Sequence, residues 1–269
     1  KFREDARRRN YHTGLQTRFF YNGVVIGNSS TALVGSPFWR SQPRLGYVDK
    51  RSVGIMYLQY TKNHLYVYPE HRDHDLEHGD VFPANTPYVI ITQGSSGSDR
   101  PVLEAMGHAL AAMRPEVKQF LTKNGALMPT LQMIFRLSQN AVREPDDYLT
   151  GKAHPTVFST AFGSSRMATS AHQLRKDEVP PLVRLKVLED DSSIVGRDFF
   201  DHRNNQELFT TPCAIARVHR TTNQNYRMVV SAQESKDLNG RDLTYHWKVL
   251  RGDARKIKIK PLNDEGSVV

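Results

Sequence analysis

The sequence predicts two domains in series. A mixed α+β or α/β domain with a helical block spans residues 1–160, a linker spans 161–181, and an all-β sandwich spans 182–269. Three observations carry this. Tyr88-Val89-Ile90-Ile91-Thr92 is an unbroken apolar run, the mark of a central strand covered on both faces. Residues 99–150 place apolar side chains at spacings of three and four. Beyond Pro180-Pro181, short runs with a period of two take over.

Taken in order, the first sixty residues are rich in Gly, Ser and aromatics, with one short apolar run at Val24-Val25-Ile26, and they read as extended structure with turns. Residues 63–68 alternate and are rich in β-formers, and Pro69 closes the strand. Asp99 caps a helix with Pro101 in its first turn and Leu103, Met106, Leu110 and Met113 on one face. Pro115 opens a second helix, carrying Val117, Phe120 and Leu121 and ending at Asn124-Gly125. Pro129 opens a third, with Leu131, Ile134, Phe135 and Leu137. A short helical turn follows around residues 145–149, and the linker holds a short helix between Met167 and Arg175. In the last third, residues 182–188, 214–218 and 227–230 read as strands.

Composition narrows the function classes. The chain has 269 residues and a net charge of +9, with Cys213 as its one cysteine, which rules out an intrachain disulfide or a cysteine zinc site. No apolar run is long enough to cross a membrane. The start at Lys1-Phe2-Arg3, without Met, leads us to expect a leader upstream. The basic clusters lie at Lys1, Arg3, Arg7, Arg8 and Arg9, and at Arg255-Lys256-Ile257-Lys258-Ile259-Lys260. The second alternates, which predicts a strand with lysines outward and isoleucines inward. No recognition helix or RNA-binding motif accompanies the charge, so nucleic acid is not the expected partner.

The segment Ser235-Lys236-Asp237-Leu238-Asn239-Gly240-Arg241-Asp242-Leu243-Thr244-Tyr245-His246-Trp247 reads as a polar turn, then a strand with Leu243, Tyr245 and Trp247 on one face. In that pattern it resembles the PKD family of extracellular modules. Val229, Ser231, Asp237, Gly240, Leu243, Tyr245 and Trp247 stand at the family's signature positions, and Ala214-Ile215-Ala216 resembles its opening strand, so the match covers residues 208–269. The resemblance implies an immunoglobulin-like, PKD-type sandwich, cut short at Val269, with Trp247 in its core. It further implies a secreted or surface-exposed bacterial protein, outside the cytoplasm, in which this module scaffolds an N-terminal domain. That domain would bind or process an extracellular polymer such as polysaccharide or protein; a non-catalytic cell-surface or adhesion protein is the alternative. The N-terminal part is similar to exported bacterial proteins of uncharacterised activity, which carry over no catalytic residue.

Chemistry is expected upstream, between His64 and Asp99. His64, His71, His74 and His78 alternate there with Glu70, Asp73, Asp75, Glu77 and Asp80. His74-Asp75-Leu76-Glu77-His78 matches the H-x-x-E-H pattern of zinc peptidases. If Pro69 begins a helix, His71, His74 and His78 share a face, and with Asp75 they are the candidate ligands for a divalent metal such as zinc. The stretch has little apolar periodicity beyond Leu76 and stops at Gly79, so a solvated loop stays open as the other reading. Asp237, Asn239 and Asp242 either offer oxygens to calcium or simply form the turn. In Gln93-Gly94-Ser95-Ser96-Gly97-Ser98-Asp99, the serines Ser95, Ser96 and Ser98 are the candidates for holding a substrate or an anion at a helix N-terminus. One of them could instead act as a nucleophile with His154 or His172. The run is one residue short of a G-x-S-x-G elbow and lacks the lysine of a phosphate loop. Whether the protein is an enzyme is open from sequence.

Overall fold

A computed structural model describes residues 11–13, 24–28, 50–70, 88–94, 97–155, 157–191, 194, 196–198, 207–217 and 225–269. The chain divides into two units, Arg51–Val179 with the strands before it, and Pro180–Val269.

The first unit is built on a parallel sheet of β1 (Tyr11–Thr13), β2 (Val24–Asn28), β3 (His64–Glu70) and β4 (Val89–Gln93), in the order β1-β2-β3-β4. Val24, Val25 and Ile26 of β2, Leu65 and Val67 of β3 and Val89, Ile90 and Ile91 of β4 are all buried. Although buried on both faces, β4 is the last strand of this sheet. Its outer edge is met by one residue, Phe158, whose N–H donates to Ile91 O (2.7 Å) and whose carbonyl accepts from Gln93 N–H (2.9 Å). Among the described residues the tract read as central is therefore an edge strand, which Phe158 meets at Ile91 O and Gln93 N–H.

Helix α1 (Lys50–Thr61) precedes β3, in a stretch read from sequence as extended. Val53, Met56, Gln59 and Tyr60 form its buried side, a stripe that Gly54 and the polar Gln59 hide from a scan for apolar periodicity. The turn after it reaches β3 through Asn63, whose φ of 66° is a left-handed conformation that Asn tolerates better than most side chains.

Helices α2 (Arg100–Ala112), α3 (Pro115–Lys123) and α4 (Leu127–Leu137) follow where three- and four-residue spacing predicts them. The buried stripe of α2 runs through Val102, Ala105, Met106, Ala109 and Leu110. It is centred on alanines rather than on Leu103. Helix α5 (Ser164–Gln173) buries Met167 and Ala171 and packs against α2, so the stretch read as a linker belongs to the first unit. Small side chains on both helices permit that approach.

Gly125 ends α3 with φ 65°, and a Cβ there would sit 3.0 Å from Thr61 O at the end of α1. Gly125→Ala should therefore destabilise the first unit by about 1–3 kcal/mol, through the left-handed backbone and the clash together. Equilibrium denaturation checks it, and a change under about 0.5 kcal/mol would contradict this packing.

The second unit corrects the fold class. It contains two antiparallel ribbons, β5 (Lys186–Asp190) with β8 (Met228–Ser231) and β6 (Glu207–Thr211) with β7 (Ala214–Arg217). No all-β immunoglobulin-like sandwich forms among the described residues. A sandwich needs two sheets whose inner faces bury each other. Here the buried apolar residues are Phe209, Val229 and Ala232, while Leu188 is 49% exposed.

The alternation from Leu243 to Trp247 is real in burial, with Leu243, Tyr245 and Trp247 half-buried and Thr244 and His246 exposed, yet the segment joins no ladder. Trp247 is tied by its indole N–H to Gly266 O (2.8 Å) and is not a core residue. Ile257 and Ile259, expected to face inward, are 43% and 38% exposed. Polar contacts carry much of this unit: Arg217, from β7, donates to Asp190 (2.7 Å) and to Phe209 O (2.9 Å), which ties the two ribbons together.

Candidate functional site

A constrained turn joins β4 to α2, at the carboxyl end of the parallel sheet. Ligands of open α/β sheets collect at that end. Gly94 has φ 139° and Gly97 has φ 104°, conformations that side-chain-bearing residues rarely adopt. A Cβ on Gly94 would lie 2.8 Å from Ser98 Cβ, so the turn folds back on itself. Thr92 Oγ1 and Ser98 Oγ are 3.1 Å apart and close its neck. Gly97 O accepts from Arg100 N–H, and Asp99 O accepts from Leu103 N–H (2.9 Å).

Asp99 is the N-cap, but its side chain makes no capping hydrogen bond and is buried. The charge this turn shows to solvent is the exposed Arg100, whose Nε lies 4.0 Å from the space beside Gly97. A cation in the first turn of a helix opposes the helix dipole, so the free helix gains nothing from Arg100 there. Ser98 is thus placed in the turn, while Ser95 and Ser96 lie outside the described residues.

Behind the turn sits a buried polar cluster that sequence reasoning missed. Arg136, on α4, is 5% exposed, and its Nη1 donates to Ala153 O (3.0 Å) and to His154 Nδ1 (3.2 Å). The guanidinium lies 5.0 Å from the centre of the Phe158 ring, the residue that covers β4. Its burial lowers its pKa, an effect that Tyr148 and Tyr60 oppose. Gln132, one turn earlier on the same helix, accepts from Tyr60 Oη (2.9 Å). The loop carrying Tyr148 is anchored by Asp147, which accepts from the N–H of Arg143 (2.8 Å) and from Lys152 Nζ (2.6 Å). Lys152 first, then the backbone donors, hold that carboxyl below its usual range. The available signal was Gln132 and Arg136 at i and i+4 on the apolar side of a helix.

Of the three candidate serines only Ser98 is described, and its hydroxyl meets Thr92 rather than either histidine offered as a partner. His154 bonds Arg136 and Tyr148 O (2.8 Å), and His172 faces Ala112 O (3.1 Å).

Of the histidine-rich stretch, His64 and Glu70 are described, at the two ends of β3. His64 is buried at the start of that strand, with Nδ1 3.4 Å from Tyr66 Oη, whose pKa burial pushes up. Glu70, roughly 20 Å away along the strand, ends it opposite Gln93. Pro69 is paired within β3, so it does not begin a helix. His71, His74, His78 and Asp75 lie outside the described residues. Among those described, no group of three or more His, Cys, Asp or Glu is placed to hold a metal.

In the second unit, Asp237 accepts from Asn239 N–H (2.8 Å) and takes two hydrogen bonds from Arg241 (2.6 and 3.0 Å). Arg241 holds this carboxyl down at about 2. The guanidinium thus occupies Asp237 Oδ2, one of the oxygens that the calcium reading would use.

Fold and site together define an α/β unit with a glycine turn between a parallel strand and a helix. Comparison with protein-family models, curated proteins and solved structures gives no match for this chain. No helix among the described residues is long and apolar enough to cross a membrane.

Proposed function

We propose that the first unit binds an acidic group, a carboxylate or phosphate, at the turn between β4 and α2, and that the natural ligand is an acidic extracellular polymer. The observation behind this reading is the glycine turn itself, pinned at Thr92 and Ser98 and opening onto a helix start beside the exposed Arg100. Backbone N–H groups at such a start carry partial positive charge, and Arg100 adds a full one. Such an anion would turn the unfavourable position of Arg100 into a favourable one. The net charge of +9 favours a polyanionic partner generally.

Calorimetric titration with inorganic phosphate and with polygalacturonate at low salt tests this. Gly94→Ala should weaken binding tenfold or more by forcing the turn open, and Arg100→Gln should weaken it about five- to tenfold while leaving the fold intact. No heat of binding with either ligand, or unchanged affinity in both variants, would sink the reading.

A further inference from the structure

In the second unit, every residue from Arg255 to Leu262 is exposed, and the alternating Lys-Ile tract within it joins no ladder among the described residues. Its ends are fastened. Asp253 accepts two hydrogen bonds from the guanidinium of Arg255 (2.9 and 3.0 Å), and its carbonyl accepts from Lys256 N–H (2.9 Å). At the far end Leu262 N–H donates to Val268 O (2.8 Å), beside Val269, which pairs with Val230 of β8.

A strand covering a core shows its lysines and hides its isoleucines. Here Ile257, Ile259 and Leu262 all face solvent, while the buried apolar residues of this unit are Phe209, Val229 and Ala232. Three large aliphatic side chains exposed within six residues form a patch, the kind of surface that marks an interaction site. Lys256, Lys258 and Lys260 alternate with them and form no ion pair among the described residues. No Asp or Glu occurs from Ala254 to Asn263, so the positive charge is locally uncompensated.

We propose that residues 255–262 dock the second unit on the surface of an anionic lipid bilayer, with Lys256, Lys258 and Lys260 at the headgroup phosphates and Ile257, Ile259 and Leu262 at the acyl boundary. The pairing of charge with aliphatic surface selects this partner. A hydrophilic polyanion takes up the ammonium groups but leaves the isoleucines in water, and a second copy of the tract sets lysine against lysine. An anionic bilayer uses both sets: lysines reach the phosphates on stems that lie along the interface, and the aliphatic groups leave water beneath them.

Co-sedimentation of the whole chain with vesicles of phosphatidylglycerol and phosphatidylcholine in equal parts tests this, with pure phosphatidylcholine as the neutral surface. The mixed vesicles should bind at least about tenfold more tightly than the neutral ones, and raising salt from about 0.05 to about 0.5 M should release most of the protein. Lys256→Gln, Lys258→Gln and Lys260→Gln combined should weaken binding on the order of a hundredfold, roughly fivefold per charge. Ile257→Ser with Ile259→Ser should weaken it about tenfold at unchanged charge. All five side chains are exposed, so these variants should fold as the wild type does. Lys62→Gln, Arg114→Gln and Lys123→Gln combined remove the same charge from exposed sites of the first unit and should leave affinity within about twofold.

Absence of binding to the mixed vesicles, equal binding to both kinds, or equal losses in the two triple variants overturns the proposal. Loss in the lysine variant with none in the isoleucine variant also overturns it, and makes the tract a site for hydrophilic polyanions. The test is independent of the turn between β4 and α2, since vesicles held there would be bound equally well by the lysine variant.

Discussion

Phe135→Ala should cost the first unit about 3–5 kcal/mol, the range for removing a fully buried aromatic ring. Phe135 has no exposed surface, and its ring meets Phe158 edge-on at 4.9 Å and Phe162 at 5.3 Å. It is the point where α4, the Phe158 cover and the segment before α5 converge, so the vacated space cannot collapse without moving all three. Denaturant unfolding measures the loss. Phe135→Leu should cost less, about 1–2 kcal/mol, because most of the volume remains. A loss below about 1 kcal/mol for the alanine variant would mean that these rings do not pack as described.

Arg136→Met should cost about 2–4 kcal/mol even though it replaces a buried charge by an apolar side chain. Methionine fills much of the volume, but it leaves Ala153 O without its donor, frees His154 Nδ1 and removes the cation above Phe158. Arg136→Lys should not rescue it, because an ammonium cannot match a planar fork that bonds two acceptors and stacks on a ring. The same variant has a second readout. With the guanidinium gone, the pKa of His154 should rise from about 4 towards its ordinary value, stopping short because burial is the larger cause of the depression. A titration unchanged by Arg136→Met would contradict the contact.

The helices of the first unit were legible because α2, α3 and α4 carry local signals: a proline near each start, apolar residues every third or fourth position, and Asn124-Gly125 at an end. Helix α1 lacked them and was missed. The tract from Tyr88 was recognisable as a buried strand, but its place at the sheet edge depends on Phe158, more than sixty residues later. The candidate site was half legible. Gly94, Gly97 and Ser98 lie within five consecutive residues and their types announce a turn, whereas Arg136, His154 and Phe158 come together only through the folding of separate segments.

The resemblance to PKD modules shows the opposite failure. Alternation correctly marked which side of residues 243–247 is half-buried, yet alternation says nothing about whether a neighbouring strand is there to complete a ladder. By itself, the sequence determined what depends on neighbours within a turn or two: helix ends, strand faces, the glycine turn and the Asp237 corner. Only the tertiary structure decided which edges pair, which polar groups are buried together, and that the second unit forms two ribbons instead of a sandwich. Those outcomes depend on contacts between segments far apart in the chain, and their energies come from burial and charge that no local pattern records.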